Sequence, residues 1–221
     1  MKKIFLFLIG ILYVFDLFAA QKIKLPEPKF KGLVFEEALR KRRSVRGYSK
    51  EVLTLDEISQ LLFSAQGVTT TYYGHKLRTA PSAGALYPFE VYLLVNRVEG
   101  IKSGIYHYLA DEHSLELVKE GDFREKIKNS ALGQEPVAQA GAVFIFTAVF
   151  ERTTRKYGER GYRYIHIEAG HIGQNILLEA TSLGLGSVPI GAFSDEQVDK
   201  MIGIDTKKQS TVYLIPVGKP R

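Results

Sequence analysis

The sequence contains no cysteine among its 221 residues. This absence excludes disulfide bonds, thiolate catalysis and cysteine-ligated metals, and it leaves the redox compartment open. The sequence also lacks an RNA-binding signature, a helix-turn-helix glycine pattern and zinc-finger spacing, so we expect no nucleic-acid partner. The net charge of +6 still favours an anionic ligand or surface, without choosing which one.

Residues 1–20 differ in composition from the rest of the chain. Two lysines precede an apolar run at residues 4–15, and small residues follow at Ala19 and Ala20. This run fits a signal-peptide core better than a membrane-spanning helix, which needs about 20 residues. Because Asp16 interrupts the pattern, an uncleaved membrane anchor is the alternative. We predict an exported protein that contacts a membrane only through this segment, followed by a linker at residues 21–32.

The remaining chain shows mixed helix and strand patterns without regular βαβ alternation, which predicts one α+β domain over residues 33–221. Capping-box patterns begin at Thr54 and Ser194. One predicted helix starts near residue 33, and a second runs from the Thr54 cap to near Gly67. A long helix is predicted at about residues 164–183, and a short one from the Ser194 cap to about Ile202. The predicted strands cover residues 91–95, 105–108, 142–150 and 212–215, and the third of these is expected to be central in a sheet.

Arginine is concentrated just after the first predicted helix. A guanidinium group is a planar fork of donors that matches phosphate oxygens two at a time. Such a basic run is either a solvated face or one wall of a phosphate site, and its spacing alone leaves both open. The candidate phosphate ligands are Arg42, Arg43, Ser44 and Arg46.

Small residues are concentrated in two loops. In residues 78–88 they would let a planar ligand approach backbone donors, while Pro81 and Pro88 stiffen the loop ends. Residues 184–191 join the long predicted helix to an extended segment, and two cations, Lys219 and Arg221, close the chain. Taken alone, each loop is equally compatible with an ordinary turn or helix cap.

In order along the chain, these elements resemble the FMN-dependent nitroreductase superfamily. The resemblance rests on Arg-Arg-Ser-x-Arg from residue 42, Pro-Ser-Ala-Gly-Ala-Leu-Tyr-Pro from residue 81, Gly-Leu-Gly-Ser-Val-Pro-Ile-Gly from residue 184 and the closing Val-Gly-Lys-Pro. Residues 148–152, 156–164 and 168–171 are similar to its azoline dehydrogenase branch, which forms thiazole and oxazole rings. The similarity covers residues 33–221.

The resemblance implies a central, mainly antiparallel sheet flanked by helices, and a homodimer with FMN at the subunit interface. It implies that the arginine cluster, Lys219 and Arg221 hold the FMN phosphate and ribityl chain. It also implies that the partner subunit supplies the first loop and that the second loop faces the isoalloxazine ring. The residues carried over for these two loops are Pro81, Ser82, Ala83 and Gly84, and Val188, Pro189, Ile190 and Gly191.

A Lys-Tyr pair is associated with the azoline branch, where it helps to deprotonate the ring while hydride leaves for FMN. Lys156 and Tyr157 match this pair, and a lysine in a dry pocket can act as a base. The alternative is that both residues belong to a solvated charged loop. A metal site is not predicted, since His166 and His171 do not have the i, i+4 spacing that places two ligands on one helical face.

The sequence therefore predicts an FMN-dependent oxidoreductase with ping-pong hydride transfer through the flavin. Its substrate would be a small molecule or a peptide ring of the azoline type. One alternative is an NAD(P)H-dependent reductase of nitro compounds, quinones or flavins. A second alternative, suggested by the N-terminal segment, is an exported flavin-binding protein without catalytic activity.

Overall fold

A computed structural model of the protein describes residues 21–221, in which nine strands, seven α-helices and one short 3₁₀ helix (Ala83–Ala85) are present. The strands are β1 (Lys22–Lys24), β2 (Val68–Tyr72), β3 (His75–Arg78), β4 (Phe89–Val95), β5 (Gly104–Leu109), β6 (Ser114–Glu120), β7 (Ala142–Ala148), β8 (Gly186–Ser187) and β9 (Ser210–Gly218). The helices are α1 (Phe35–Lys41), α2 (Leu55–Gln66), α3 (Arg124–Ser130), α4 (Glu135–Gln139), α5 (Glu151–Tyr157), α6 (Arg160–Ser182) and α7 (Asp195–Ile202).

Seven strands form one sheet in the order β1-β6-β5-β4-β7-β9-β8, and every pairing between them is antiparallel. Strands β2 and β3 form a separate hairpin. The α+β class and the antiparallel sheet predicted from the sequence are therefore confirmed.

Both faces of the large sheet are covered by helices. Because successive strand residues point to opposite faces, Val91 and Leu93 of β4 pack in the same apolar cluster as α2 and α6. Tyr92 and Leu94 pack in a second cluster with α3 and α7. All seven residues of β7 are buried, as expected for a strand between β4 and β9 with helices on both sides.

Helix α2 begins as its sequence predicts. The Thr54 hydroxyl accepts from the Glu57 amide at 3.2 Å, and the Glu57 carboxylate accepts from the Thr54 amide at 2.8 Å. Helix α7 begins with half of the predicted capping box, in which the Ser194 hydroxyl accepts from the Gln197 amide. These local hydrogen bonds satisfy amides that have no partner inside a helix.

Two element boundaries differ from prediction around residues 149–160. Strand β7 ends at Ala148 because Phe150, at φ −55° and ψ −39°, already has the helical conformation that opens α5. Helix α6 starts four residues before the predicted residue 164. A Cβ at Gly161 would lie 2.9 Å from the Thr154 Cα, so glycine lets α5 and α6 approach closely.

The interpretation of residues 21–32 as a linker is wrong for their first part. Strand β1 pairs with β6, and Leu25 is buried in the core. The following residues lie along α2, where the Lys31 carbonyl accepts from the Gln60 side chain at 2.9 Å. Lysines and prolines dominate this segment, and its strand character arises from pairing rather than from its own pattern.

No helix within residues 21–221 is long and apolar enough to span a bilayer. The predicted signal peptide or anchor at residues 1–20 lies outside the described residues.

Candidate functional site

The arginine cluster lies on an extended segment that connects three distant parts of the chain. The Val45 amide donates to the Ser187 carbonyl at 2.9 Å, and the Ser49 amide donates to the Lys219 carbonyl at 2.9 Å. Ser44 also forms a parallel bridge with Ser187. The arginine cluster, the loop that begins at residue 184 and the C-terminus are therefore brought together.

Close packing holds this segment in place. A Cβ at Gly186 would lie 2.6 Å from Val45 Cγ1, and one at Gly218 would lie 3.0 Å from Tyr48 Cδ1. The Tyr48 hydroxyl is 2.8 Å from the Val45 carbonyl and 3.1 Å from the Pro216 carbonyl. Burial raises the pKa of Tyr48 far above its ordinary value, so the hydroxyl remains a donor.

Five cationic side chains lie in this region, and three of them form hydrogen bonds or ion pairs with other groups of the same chain. The Arg43 guanidinium donates to the carbonyls of Arg40 and Arg42 at 3.1 and 2.7 Å. Lys219 forms an ion pair with Glu57, whose carboxylate also accepts from the Thr54 amide in the capping box of α2. The Arg221 Nε donates to the Tyr48 carbonyl at 2.9 Å.

Arg42 and Arg46 differ from these three, because within residues 21–221 their side chains make no hydrogen bond or ion pair. Arg46 is exposed and Arg42 is half-buried. Their guanidinium groups can therefore accept an external anion without breaking an internal contact. Phosphate and carboxylate groups both match the bidentate geometry of a guanidinium group.

The loop of residues 184–191 presents mainly backbone groups, rather than side chains, to a ligand. Val188 and Ile190 are 2% and 4% exposed and pack in the core, and their amides donate to the Pro216 and Leu214 carbonyls. Gly191 is exposed, with open space where a Cβ would be. A planar ligand at this loop would therefore contact Pro189 and the backbone at Gly191.

The loop of residues 78–88 packs against the predicted Lys-Tyr pair. A Cβ at Gly84 would lie 2.9 Å from Lys156 Nζ and 2.8 Å from the Tyr157 hydroxyl oxygen. The Ser82 hydroxyl accepts from the Tyr87 amide at 2.9 Å. Pro81 and Gly84 are exposed, and Ser82 and Ala83 are half-buried.

Lys156 and Tyr157 lie at the C-terminal end of α5. Lys156 Nζ is 5.4 Å from the Tyr157 ring centroid, and the Tyr157 ring meets the Tyr164 ring edge-on at 5.1 Å. A cavity of about 410 Å³ adjoins Lys156, and it is lined by Leu86, Val149, Glu151, Arg152, Arg155 and Lys156. Lys156 is thus exposed at an open cavity that a substrate can enter, whereas Tyr157 is half-buried beside it and does not line the cavity.

Glu168 lies in the segment of residues 168–171 that resembles the azoline branch, but the sequence assigned it no role in the site. Its carboxylate is buried and accepts from the Ser82 hydroxyl at 2.6 Å, while its second oxygen, Oε1, has no hydrogen-bond partner. Burial raises the pKa of Glu168 to about 7, against the opposing effects of Ser82 and Arg78. His166 and His171 are exposed, so they do not share this environment.

A signal for Glu168 was present in the sequence. It lies three residues after Ile165 and four before Ile172, which places it on the buried side of α6. A charged residue on the apolar side of an amphipathic helix is unusual, because a buried charge costs free energy unless it is paired.

The site residues form two groups in one chain. The arginine segment lies near the C-terminal end of α6, where the Ser182 carbonyl accepts from the Leu33 amide and Gly186 meets Val45. The loop with Ser82 contacts α6 at Glu168. These two points on the helix are 14 residues apart, or about 21 Å at 1.5 Å per residue.

Comparison with known proteins identifies relatives of this fold and sequence. A trifolitoxin-processing protein, TfxB of Rhizobium leguminosarum bv. trifolii, is 34% identical over 177 residues, 76% of this chain and 48% of that protein. The microcin B17-processing protein McbC of Escherichia coli is 31% identical over 163 residues, 72% of this chain and 59% of that protein. This chain therefore spans only about half to three fifths of these two relatives.

Other relatives carry a different description. A protein named as a nitroreductase from Methanocaldococcus jannaschii is 43% identical over 192 residues, 87% of this chain and 94% of that protein. A nitroreductase structure from Anabaena variabilis superposes with a TM-score of 0.79 at 33% identity, over 91% of this chain and 42% of that one. The nitroreductase family profile matches residues 39–219. The chain belongs to the nitroreductase family.

Proposed function

We propose that this oxidoreductase uses FMN, bound between two copies of the chain. The observation that carries the proposal is the meeting of the arginine segment, the loop of residues 184–191 and the C-terminus, with two guanidinium groups left uncommitted. The residues present fit the cofactor. Arg42 and Arg46 would bind its phosphate, and Lys219 and Arg221 would add positive potential. Pro189 and the Gly191 backbone would contact its ring.

The partner subunit would supply the second wall of each site. In one chain the loop of residues 81–84 is far along α6 from the arginine segment. A two-fold axis perpendicular to α6 would place two copies of this helix antiparallel. Each loop would then approach the arginine segment of the other subunit. The exposed side of α6 suits such a contact, because it carries Ile167 at 49% exposure and Gly170 without a side chain.

For the reaction, we propose dehydrogenation of an azoline-type ring in a peptide, with FMN supplying the hydride acceptor. Lys156 and Tyr157 would bind the ring in the adjoining cavity, and Lys156 would take a proton from it. The Tyr157 hydroxyl, close to Gly84, would orient the ring for this proton transfer. The relatives named for processing trifolitoxin and microcin B17 support a peptide substrate.

A second candidate is an NAD(P)H-dependent reductase of nitro compounds, quinones or flavins. The observation that favours it is the nitroreductase of M. jannaschii, which this chain matches over nearly its whole length. Such a reaction only passes hydride through the flavin and needs no base on the protein. The two candidates therefore differ in their need for Lys156 and Tyr157.

One experiment tests cofactor and reaction together. The visible absorbance of purified residues 21–221 is recorded with and without added FMN, and NADH or NADPH is then added anaerobically. We expect a bound-flavin spectrum. Bleaching by a nicotinamide would support the reductase, and bleaching only by an azoline peptide would support the dehydrogenase. A protein that takes up no FMN would refute the proposal.

We further propose that residues 1–20 export the protein or anchor it to a membrane. A flavin that no donor or peptide reduces would then support an exported flavin-binding protein without catalytic activity. Cell fractionation of the full chain tests the location. Equal distribution of the full chain and of residues 21–221 would count against any role for this segment.

A further inference from the structure

We propose that Glu168 is a positioning residue, which acts through the Ser82 hydroxyl to hold residues 81–87 in the conformation that meets the flavin and the Lys156–Tyr157 pair. The inference rests on the proposed FMN site. Glu168 belongs neither to the Lys156–Tyr157 pair nor to the proposed phosphate site.

The loop needs a constraint of this kind because its backbone is strained. Gly84, Ala85 and Tyr87 have φ values of 63°, 54° and 45°, all in the left-handed region. Side chains with a Cβ disfavour this region, and residues held there persist only where the surrounding structure fixes them. Alanine and tyrosine in this conformation indicate that external contacts hold the loop.

Ser82 is the centre of those contacts. Its hydroxyl oxygen accepts from the Tyr87 amide at 2.9 Å, and its carbonyl accepts from the Ala85 amide at 3.0 Å. A hydroxyl has a single proton, and Ser82 donates it to Glu168 at 2.6 Å. Glu168 therefore fixes the direction of the hydroxyl, and with it the lone pair that receives Tyr87.

The far end of the loop is held separately. The Tyr87 hydroxyl accepts from the Arg78 amide at 3.1 Å, and the Arg78 guanidinium lies over the Tyr87 ring, 4.9 Å from its centroid. The Arg152 guanidinium donates to the Tyr87 carbonyl at 3.2 Å. These contacts leave the Tyr87 amide to Ser82, which connects it to the buried Glu168 on α6.

A buried carboxyl group is a costly choice for a purely structural contact. Glu168 is 3% exposed, its Oε1 has no partner, and burial raises its pKa to about 7. An apolar residue would pack on the buried side of α6 without this cost. The carboxyl group offers Ser82 an acceptor, and Ser82 lies two residues from Gly84, where an added Cβ would clash with Lys156 and Tyr157.

The test compares four variants of residues 21–221: Glu168→Ala, Glu168→Gln, Ser82→Ala and the double variant Glu168→Ala/Ser82→Ala. The control is Glu179→Ala, a glutamate on the same helix that instead bonds Gln60. Two quantities are measured: amide hydrogen exchange at residues 82–87 in the FMN-free protein, and the dissociation constant of FMN from flavin fluorescence.

We expect Glu168→Ala to speed exchange at the Tyr87 amide and to weaken FMN binding by about tenfold, the loss that one hydrogen bond to a charged group produces. Glu168→Gln keeps an acceptor for Ser82 and should stay within about twofold of wild type. Because both residues act through one hydrogen bond, the double variant should bind FMN no more weakly than Ser82→Ala. Glu179→Ala should match wild type.

Unchanged Tyr87 exchange in Glu168→Ala would overturn the positioning role, as would additive losses in the double variant. If Glu168→Ala does not fold, Glu168→Leu replaces it, since leucine fills similar space but offers Ser82 no acceptor, and its Tyr87 exchange is compared with that of Glu168→Gln. The exchange measurement uses the FMN-free protein. If wild type does not bind FMN, the proposed function is refuted, and the exchange measurement still tests whether Glu168 holds the loop.

Discussion

Replacement of Glu168 by glutamine should stabilise the protein at alkaline pH and not at acidic pH. The carboxyl group is buried beside Ser82, with Arg78 as the charged group that favours its ionised form, and the balance raises its pKa from 4.5 to about 7. Glutamine has nearly the same shape and keeps an acceptor for Ser82, but it cannot ionise. The substitution therefore removes the titration while preserving the contact.

The magnitude follows from the pKa difference between folded and unfolded chain. Below pH 4.5 the group is protonated in both states, so it causes no pH dependence. Between pH 4.5 and 7 the folded state holds a proton that the unfolded state has lost, and the free energy of unfolding falls as the pH rises. The total fall from one group is about 3 kcal/mol, at 1.36 kcal/mol for each pKa unit.

Urea denaturation at pH 4.5, 6 and 8, at one protein concentration and without FMN, measures this effect. We expect the difference in unfolding free energy between Glu168→Gln and wild type to grow by about 3 kcal/mol across that range, in favour of the variant. Glu179→Gln controls for loss of a carboxylate from the same helix. A difference that is constant with pH would refute the reasoning, because Glu168 would then titrate alike in the folded and unfolded chain.

Three further outcomes follow from the site. Arg46→Ala should weaken FMN binding about 10- to 100-fold while leaving riboflavin, which lacks the phosphate, unaffected; equal losses in titrations of both flavins would contradict a phosphate contact. The double variant Lys156→Met/Tyr157→Phe should lose azoline dehydrogenation, but it should still bind FMN and keep any NADH oxidase activity. Retained dehydrogenation would exclude a catalytic role for Lys156 and Tyr157. Gly186→Ala should lower the free energy of unfolding by about 1–3 kcal/mol and weaken FMN binding, because its Cβ overlaps Val45; unchanged thermal unfolding would show that the segment can move aside.

Elements with strong local patterns were predictable from the sequence. Helix α2 has both its cap at Thr54 and an apolar face that includes Ile58 and Leu61, so its bounds follow from local chemistry. Strand β7 is apolar except for Thr147, because both of its faces are covered. In each case the signal lies within the element itself.

Elements that depend on pairing were not predictable in the same way. Strand β1 has one apolar residue between two lysines and is a strand because β6 lies beside it. The β2–β3 hairpin is mostly exposed, so it has no alternation of apolar and polar residues to detect. The contact of Ser82 with Glu168 spans 86 positions of sequence, and only the fold determines it.

The spacing of the motifs along the sequence does not show how far apart they lie in the folded chain. Along the chain, the arginine cluster and the Ser82 loop are about 40 residues apart, and this spacing alone does not show whether one subunit or two would supply them to a site. In the fold, one is attached near the C-terminal end of α6 and the other at Glu168, about 21 Å away along the helix. If two subunits complete each other's sites, Glu168 acts on the flavin that its partner's arginines hold. A defect at Glu168 in one subunit then impairs one site of the dimer and leaves the other intact.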